Sequence, residues 1–237
     1  DETMGMVWKA LQESGMEENT VIVFLSDNGM AFPFAKTNCY LNSNRTPMIV
    51  CAPGETEAGS RDGKHFVSGI DFMPTMLDLL GIETSEPMDG RSYRRILQGK
   101  EEDGWTDVYT QITSTARHDY YPMRGIQDEN YGYMFNDWSD GETLFWNESK
   151  MGRTYQAMKE AAAHDEEIAK RVQLYDYRVV EELYDLKHDP DALVNLIDDP
   201  EYEGVKQAYR ERMKQYMEST DDPILEKYLE AIKKTTV

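Results

Sequence analysis

The stretch "VIVFLSDNGMAFPFAK", Val21 to Lys36, decides how this chain folds. It opens with β-branched and aromatic residues and no polar interruption, which suits a strand covered on both faces in a parallel sheet. It then stops at Ser26-Asp27-Asn28-Gly29, at the carboxyl end of that strand, the edge where open α/β sheets place their ligands. An acid and an amide side by side there offer hard oxygen ligands of the kind Ca²⁺ or Mg²⁺ takes, and Gly29 lets the backbone turn sharply beside them. Lys36 would then supply an ammonium as a point charge for a sulfate or phosphate oxygen. A plainer reading stands beside this one: Asp-Asn-Gly is a turn, and Lys36 a solvated side chain.

Outward from this stretch the first part of the chain alternates helix and strand. Met4, Val7 and Leu11 fall at helical spacing within Glu2 to Ser14, and Gly15 suits the helix end. Thr20 to Leu25 is one strand and Pro47 to Ala52 another, ended by Pro53-Gly54. Asp71 can cap a helix running to Leu80, with Pro74 in its first turn and Gly81 closing it. Helix, strand, strand, helix fits a piece of an α/β layer, with too few strands to close a sheet. From Trp105 the character changes. Asp107 to Ile112, Met123 to Gln127, Tyr131 to Phe135 and Glu182 to Leu186 read as short strands, the middle two as a hairpin. Tyr155 to Val172, Pro200 to Met217 and Pro223 to Lys234 read as helices. The polar run Gln98 to Gly104 marks the boundary, giving an α/β portion over 1–104 and a smaller α+β subdomain over 105–237.

Composition narrows the function classes. A hydrophobic fraction of 40% and an aromatic fraction of 11% specify a folded protein despite a formal charge of -20. That charge argues against broad contact with nucleic acid or anionic lipid, whose phosphates need clustered Lys and Arg. No apolar run approaches a membrane span, and the opening residues DETMGMVWKALQ show nothing like a signal peptide. Cys39 and Cys51 fit neither a disulfide framework nor a zinc cluster; one bridge and two buried thiols are both open.

"NTVIVFLSDNGMAFPFAK" resembles the C-terminal metal-binding segment of the formylglycine-dependent sulfatase family, where a strand ends in Asp-Asn or Asp-His-Gly and a Lys or Arg follows. "RTPMIVCAPG" (45–54), "VSGIDFMPTMLDLLGI" (67–82), "MDGRSY" (88–93) and "EELYDLKHDPDALVNL" (181–196) are similar to further blocks of that family, in its order. "KTNCY" (36–40), "YYPMRGIQ" (120–127) and "STDDP" (219–223) bring the resemblance nearest to the heparan N-sulfatase (sulfamidase) branch. The resemblance implies the C-terminal part of an alkaline-phosphatase-like sulfatase sheet domain followed by an α+β subdomain with a short antiparallel sheet. It also implies a sulfate ester or sulfamate hydrolase of heparan-type saccharides with one Ca²⁺. On it, Asp27 and Asn28 match two metal ligands, Lys36 the basic residue that contacts the sulfate, and Asp27 also helps activate the aldehyde hydrate. Placement in a periplasmic, secreted or lysosome-like compartment follows by the same analogy.

The formylglycine motif, Cys or Ser followed by x-Pro-x-Arg, is absent from these residues. Cys51-Ala52-Pro53 imitates its start, but no Arg stands where one is required, and no basic neighbourhood would activate the thiol. The nucleophile and the remaining metal ligands are therefore expected on an upstream segment, and this chain alone is expected to be inactive, with an exposed apolar face that associates with that segment or with another copy. Other residues carry paired readings. His118, with Arg117 or Arg124, either touches sugar or belongs to a surface loop. His65, His164 and His188 are solvated or locally bonded, and Asp89-Gly90-Arg91 is a turn with a structural ion pair. Tyr120, Tyr121, Tyr131 and Tyr133 either line a sugar site or sit on half-buried strands. Glu166-Glu167 and Glu181-Glu182 lack the arrangement of a glycosidase pair. Two alternatives stay open: a metal-dependent phosphatase or phosphodiesterase, which would favour His where Asn28 stands, and a non-catalytic glycan-binding module.

Overall fold

A computed structural model describes residues 1–234. The chain divides into two compact units, residues 1–26 with 47–106, and residues 27–46 with 107–237. The loop after the first strand thus packs with the later residues, a division that departs from a single cut near residue 104.

In the first unit, α1 (Glu2–Ser14) ends at Gly15, whose φ of 66° is the left-handed cap that glycine adopts without strain. β1 (Ile22–Leu25) pairs with β2 (Met48–Cys51). The pairing is antiparallel, and Phe24, Leu25 and Ile49 are exposed, so the expected parallel strand covered on both faces is not what forms. Among the described residues these two strands make a sheet of their own, in which Ile22, Val23 and Val50 are half-buried and the other apolar side chains are exposed. α3 (Phe72–Leu79) follows a short 3₁₀ turn. Asp71 does not cap it as a simple N-cap residue: its carboxylate accepts the backbone N–H groups of Ser68 at 2.7 Å and Arg91 at 3.0 Å. Gly90 is fixed by close approach, because a Cβ there would lie 2.1 Å from the Ile70 carbonyl oxygen. Arg91 stacks over Trp105 at 3.7 Å in place of the expected ion pair. The one-turn helix α4 (Arg94–Leu97) here, like α2 (Leu41–Asn44) in the second unit, had no periodicity long enough to be read from sequence.

The second unit is built on a four-stranded antiparallel sheet in the order β3 (Asp107–Ser114), β4 (Tyr120–Asp128), β5 (Tyr131–Asn136), β6 (Glu181–Asp185). Side chains alternate between faces with the strand period of two. Ile126, Tyr133, Phe135 and Leu183 face α7 (Glu203–Ser219) and α8 (Leu225–Lys234), burying Met213, Met217 and Tyr228. Met123, Met134 and Tyr184 face Phe34, Cys39, Tyr40 and Tyr175. The sheet is therefore covered on both sides, which is why β4 is buried almost throughout and why Tyr133 and Tyr184 are core residues rather than half-exposed ones. Gly125 lets the 27–46 loop touch β4: a Cβ would meet that of Cys39 at 2.8 Å. The single helix expected over 155–172 is two, α5 (Arg153–Ala161) and α6 (Glu166–Tyr177), because Asp165 caps the second by accepting the N–H groups of Glu167 and Ile168. Both cysteines are free thiols, Cys39 buried and Cys51 exposed, so neither the bridge nor a buried pair forms.

Candidate functional site

Asp27, Asn28 and Lys36 belong to one loop of the second unit, and three consecutive later residues grip it. The Asn147 carboxamide donates to the Lys36 carbonyl at 3.0 Å. The Ser149 hydroxyl donates to the Phe32 carbonyl at 3.1 Å, and the Glu148 carboxylate lies 2.8 Å from the Lys36 ammonium. Gly29 closes the other end, donating its N–H to the Ser43 carbonyl. It is required by space rather than by a left-handed turn, since a Cβ would sit 2.1 Å from the carbonyl oxygens of Ala35 and Asn42. Phe34 and Thr37 flank the lysine at φ of 64° and 55°, a conformation that persists only where surroundings enforce it.

Those surroundings are a buried cation and its aromatic box. Arg178 is nine-tenths buried or more, lies 4.9 to 5.2 Å from the ring centres of Phe34, Tyr40, Phe145 and Tyr175, and donates to the Asn38 carboxamide oxygen. Asn38 in turn donates to the Lys36 carbonyl. The Lys36 backbone is thus bonded by two buried carboxamides while its side chain reaches the surface.

Charge follows the same geometry. The hydrogen bond that Lys36 donates to Glu148 raises the Lys36 pKa above its ordinary value, against a smaller opposing effect of burial, and the Asp27 carboxylate adds a further upward push. Asp27 and Lys36 are therefore within electrostatic reach of one another. Asn28 follows Asp27 in the same loop and is half-buried. Donor chemistry fits a hard cation in part: a carboxylate and a carboxamide are oxygen ligands, but two fall short of the six to eight that Ca²⁺ takes. Among the described residues no group of three or more His, Cys, Asp or Glu side chains comes together to complete such a shell.

Other sequence candidates separate. Arg124 is buried, with its Nε and Nη2 bonded to the Asp222 carboxylate at 2.5 and 2.9 Å, so it faces no ligand; the "STDDP" segment supplies its partner. His118 is exposed at the β3–β4 turn, at a φ of 65°. His65 and His188 bond locally to Asp62 and Asp185. Cys51 lines a cavity with Glu17 and Glu18, with no Lys or Arg among its walls, and burial pushes the Cys39 thiol up to about 11. Glu181 and Glu182 are buried acceptors: Glu182 takes hydrogen bonds from Tyr40, Tyr184 and Asn136, and Glu181 from Tyr133 and Arg210. Sequence reasoning missed Asn147 and Glu148. Asn147 ahead of a helical turn is a recognisable cap, but its bond to Lys36 joins residues too distant in sequence for any local pattern to show.

The model of the family described as N-sulphoglucosamine sulphohydrolase, C-terminal, matches residues 31–150, just over half of the chain. This chain belongs to that family. The matched residues of the sulphohydrolase family include Lys36, Arg117, Asn147 and Glu148, with Asp27 and Asn28 just before them. A Homo sapiens protein described as N-sulphoglucosamine sulphohydrolase is 27% identical over 94% of this chain and 46% of its own length. An ulvan-active sulfatase of Formosa agariphila is 28% identical over 94% of this chain and 37% of its own. A solved structure titled as a complex with D-glucosamine-2-N,6-O-disulfate superposes with a TM-score of 0.62 at 20% identity, covering 94% of this chain and 39% of that one. The chain thus spans less than half the length of these relatives. Its fold class is that of the C-terminal part of an alkaline-phosphatase-like sulfatase.

Proposed function

We propose that this chain carries the sulfate-contacting loop of a hydrolase that removes sulfate from saccharides, with the N-sulfate of glucosamine in heparan-type chains as the finer reading. The observation that supports it best is the family match over residues 31–150, within which Lys36 is held at the surface beside Asp27. In this reading Lys36 places its positive charge against a sulfate oxygen, where it stabilises the charge that grows as the sulfur bond breaks. Glu148 and the two carboxamides behind Lys36 fix where that ammonium points. Asp27 and Asn28 would hold the hard cation, Ca²⁺, together with ligands from an upstream segment, and the bound cation supplies Lewis-acid stabilisation of sulfate oxygens.

The nucleophile, a formylglycine by family resemblance, is assigned to that same upstream segment, since its motif is absent from these residues. Support for an upstream partner comes from the relatives' greater length and from the exposed apolar side chains of the first unit, Trp8, Phe24 and Ile49 among them. By the same resemblance the enzyme would work in a periplasmic, secreted or lysosome-like compartment. No described helix is long and apolar enough to cross a membrane.

The test is to express the chain joined to its upstream coding sequence and assay it against defined N-, 6-O- and 2-O-sulfated disaccharides. Sulfate release that Lys36→Ala lowers at least about a hundredfold in kcat/KM, and that chelation abolishes and Ca²⁺ restores, is the expected result. Release of phosphate from phosphoesters with no sulfate release would overturn the assignment.

A further inference from the structure

The turn at 115–119 carries a feature that the sulfate-contacting loop does not explain. The N–H of Thr115 bonds the Asp119 carbonyl and that of His118 the Thr115 carbonyl, closing a tight turn with His118 in the left-handed region. Strained backbone at an exposed turn points to a side chain being aimed. The one aimed is Arg117: its guanidinium carbon lies 4.2 Å from the centre of the Trp146 ring, and its side chain is 56% exposed. Nε of Arg117 is 3.5 Å from the Asp119 carboxylate, an exposed pair that contributes little. Its two terminal nitrogens have no hydrogen-bond partner among the described residues. A guanidinium seated flat on an aromatic ring with a free outer edge is preorganised to grip a planar or tripodal anion in a fork.

The place of Trp146 says which anion. Asn147 is extended, at φ −149° and ψ 176°, and fully buried, with its carboxamide bonded to Lys36. In an extended segment alternate side chains point to opposite sides, so Trp146 and Glu148 share the outward face, about 7 Å apart along the chain. Phe145 and Asn147 are buried and Trp146 and Glu148 are half-exposed, as that alternation requires. Glu148 is paired with Lys36, so the stacked arginine and the lysine are carried on the same outward side of this segment, through Trp146 and Glu148 respectively. A protein of charge -20 cannot draw in an anion at long range, and a cation held ready at the surface is the local device that remains.

We propose that Arg117, seated on Trp146, forms a subsite for the acidic group, carboxylate or sulfate, of the sugar ring next to the one whose sulfate meets Lys36. Arg117 binds the anion. Trp146 is a positioning residue that reduces the side-chain freedom lost on binding. This rests on the function proposed above, and the experiment separates the two.

The full-length protein and its Arg117→Met, Arg117→Lys and Trp146→Leu variants are compared on a sulfated monosaccharide and on disaccharides whose second ring carries a carboxylate, a sulfate, or neither. Arg117→Met is expected to raise KM about tenfold on the acidic disaccharides, with kcat unchanged and no effect on the monosaccharide or the neutral disaccharide. Arg117→Lys, which keeps charge and loses the fork, recovers only part, and Trp146→Leu shows a smaller rise with the same selectivity. Which acidic disaccharide responds identifies the group recognised. In parallel, direct titration of each disaccharide into wild type and Arg117→Met reads binding without turnover. If no sulfate is released from any substrate but binding of acidic disaccharides still depends on Arg117, the hydrolase reading fails and the subsite stands. Equal effects of Arg117→Met on acidic and neutral ligands, or none on either, overturn the subsite.

Discussion

At the scale of single residues, the pair of Lys36 and Glu148 joins what was legible in the sequence to what was not. Lys36 could be singled out because its type and its place after a strand end suit an anion site, whereas Glu148 stands in a loop more than a hundred residues later with no motif around it. Glu148 is held below its ordinary pKa: burial pushes it up, but the bond from Lys36 and its own backbone hydrogen bond together outweigh that. The sign on each side can be worked out. A lysine whose folded pKa is raised contributes stability fully present below its unfolded value and lost as pH climbs through the raised one; a carboxylate whose folded pKa is depressed contributes stability present above its unfolded value and lost as pH falls through the depressed one. With ordinary values of 10.5 and 4.5, the extra stability of wild type over Glu148→Gln is expected to be level between them and to vanish towards both extremes. Both side chains are nearly a third exposed, so the plateau is only about 0.5–1 kcal/mol. Denaturant melts of the two proteins across pH check this, and a difference that does not change with pH means the two groups do not form an ion pair.

At the scale of elements, periodicity and caps gave most helices and strands their places, and the departures have local causes. The 155–172 helix broke where Asp165 offers its side chain to the next turn, a competition between cap and helix that periodicity alone does not resolve. Strand β1 read as a buried parallel strand because continuous apolar residues are the same signal whether a neighbour covers them or not. The reading that sets Arg124 beside His118 as a sugar contact does not foresee its partner, because Asp222 lies just ahead of α8, beyond any local pattern. That bond ties β4 to the α7–α8 corner inside the core. Asp222→Asn should therefore cost the protein about 3–5 kcal/mol by leaving the guanidinium buried and unpaired. The double replacement Arg124→Met with Asp222→Leu should recover much of that loss, since apolar residues of similar volume remove both charges. KM measured on the folded fraction should not move in any of these variants. A KM that rises with Arg124→Met while stability holds would return Arg124 to the saccharide site.

At the scale of the whole molecule, the two units bury their residues very differently. The four-stranded sheet has core clusters on both faces, while α1 has no buried residue at all. Val7, Trp8, Phe24, Leu25, Ile49, Ile70 and Leu80 of the first unit are exposed, while its buried apolar residues are Ala52, Pro74, Tyr93, Ile96 and Trp105. Exposed apolar area on this scale is what marks a surface that another segment covers, at about 25 cal/mol for each Å² removed from water. The upstream segment that the longer relatives possess is the proposed cover, and β1 and β2, as a free-standing pair, offer it hydrogen-bonding edges. The chain by itself is therefore expected to bind an apolar dye strongly and to associate in a concentration-dependent way. Adding the upstream segment, in one polypeptide or by co-expression, should lower dye fluorescence severalfold and leave a single species by light scattering. Protection of the β1 and β2 amides from hydrogen exchange should appear only in that joined form, whereas β4 and β5, already sandwiched, should be protected in both. A chain that alone stays monodisperse, ignores the dye and protects β1 and β2 as well as β4 would show that these apolar side chains need no cover, and the case for an upstream half docking on this unit would be lost.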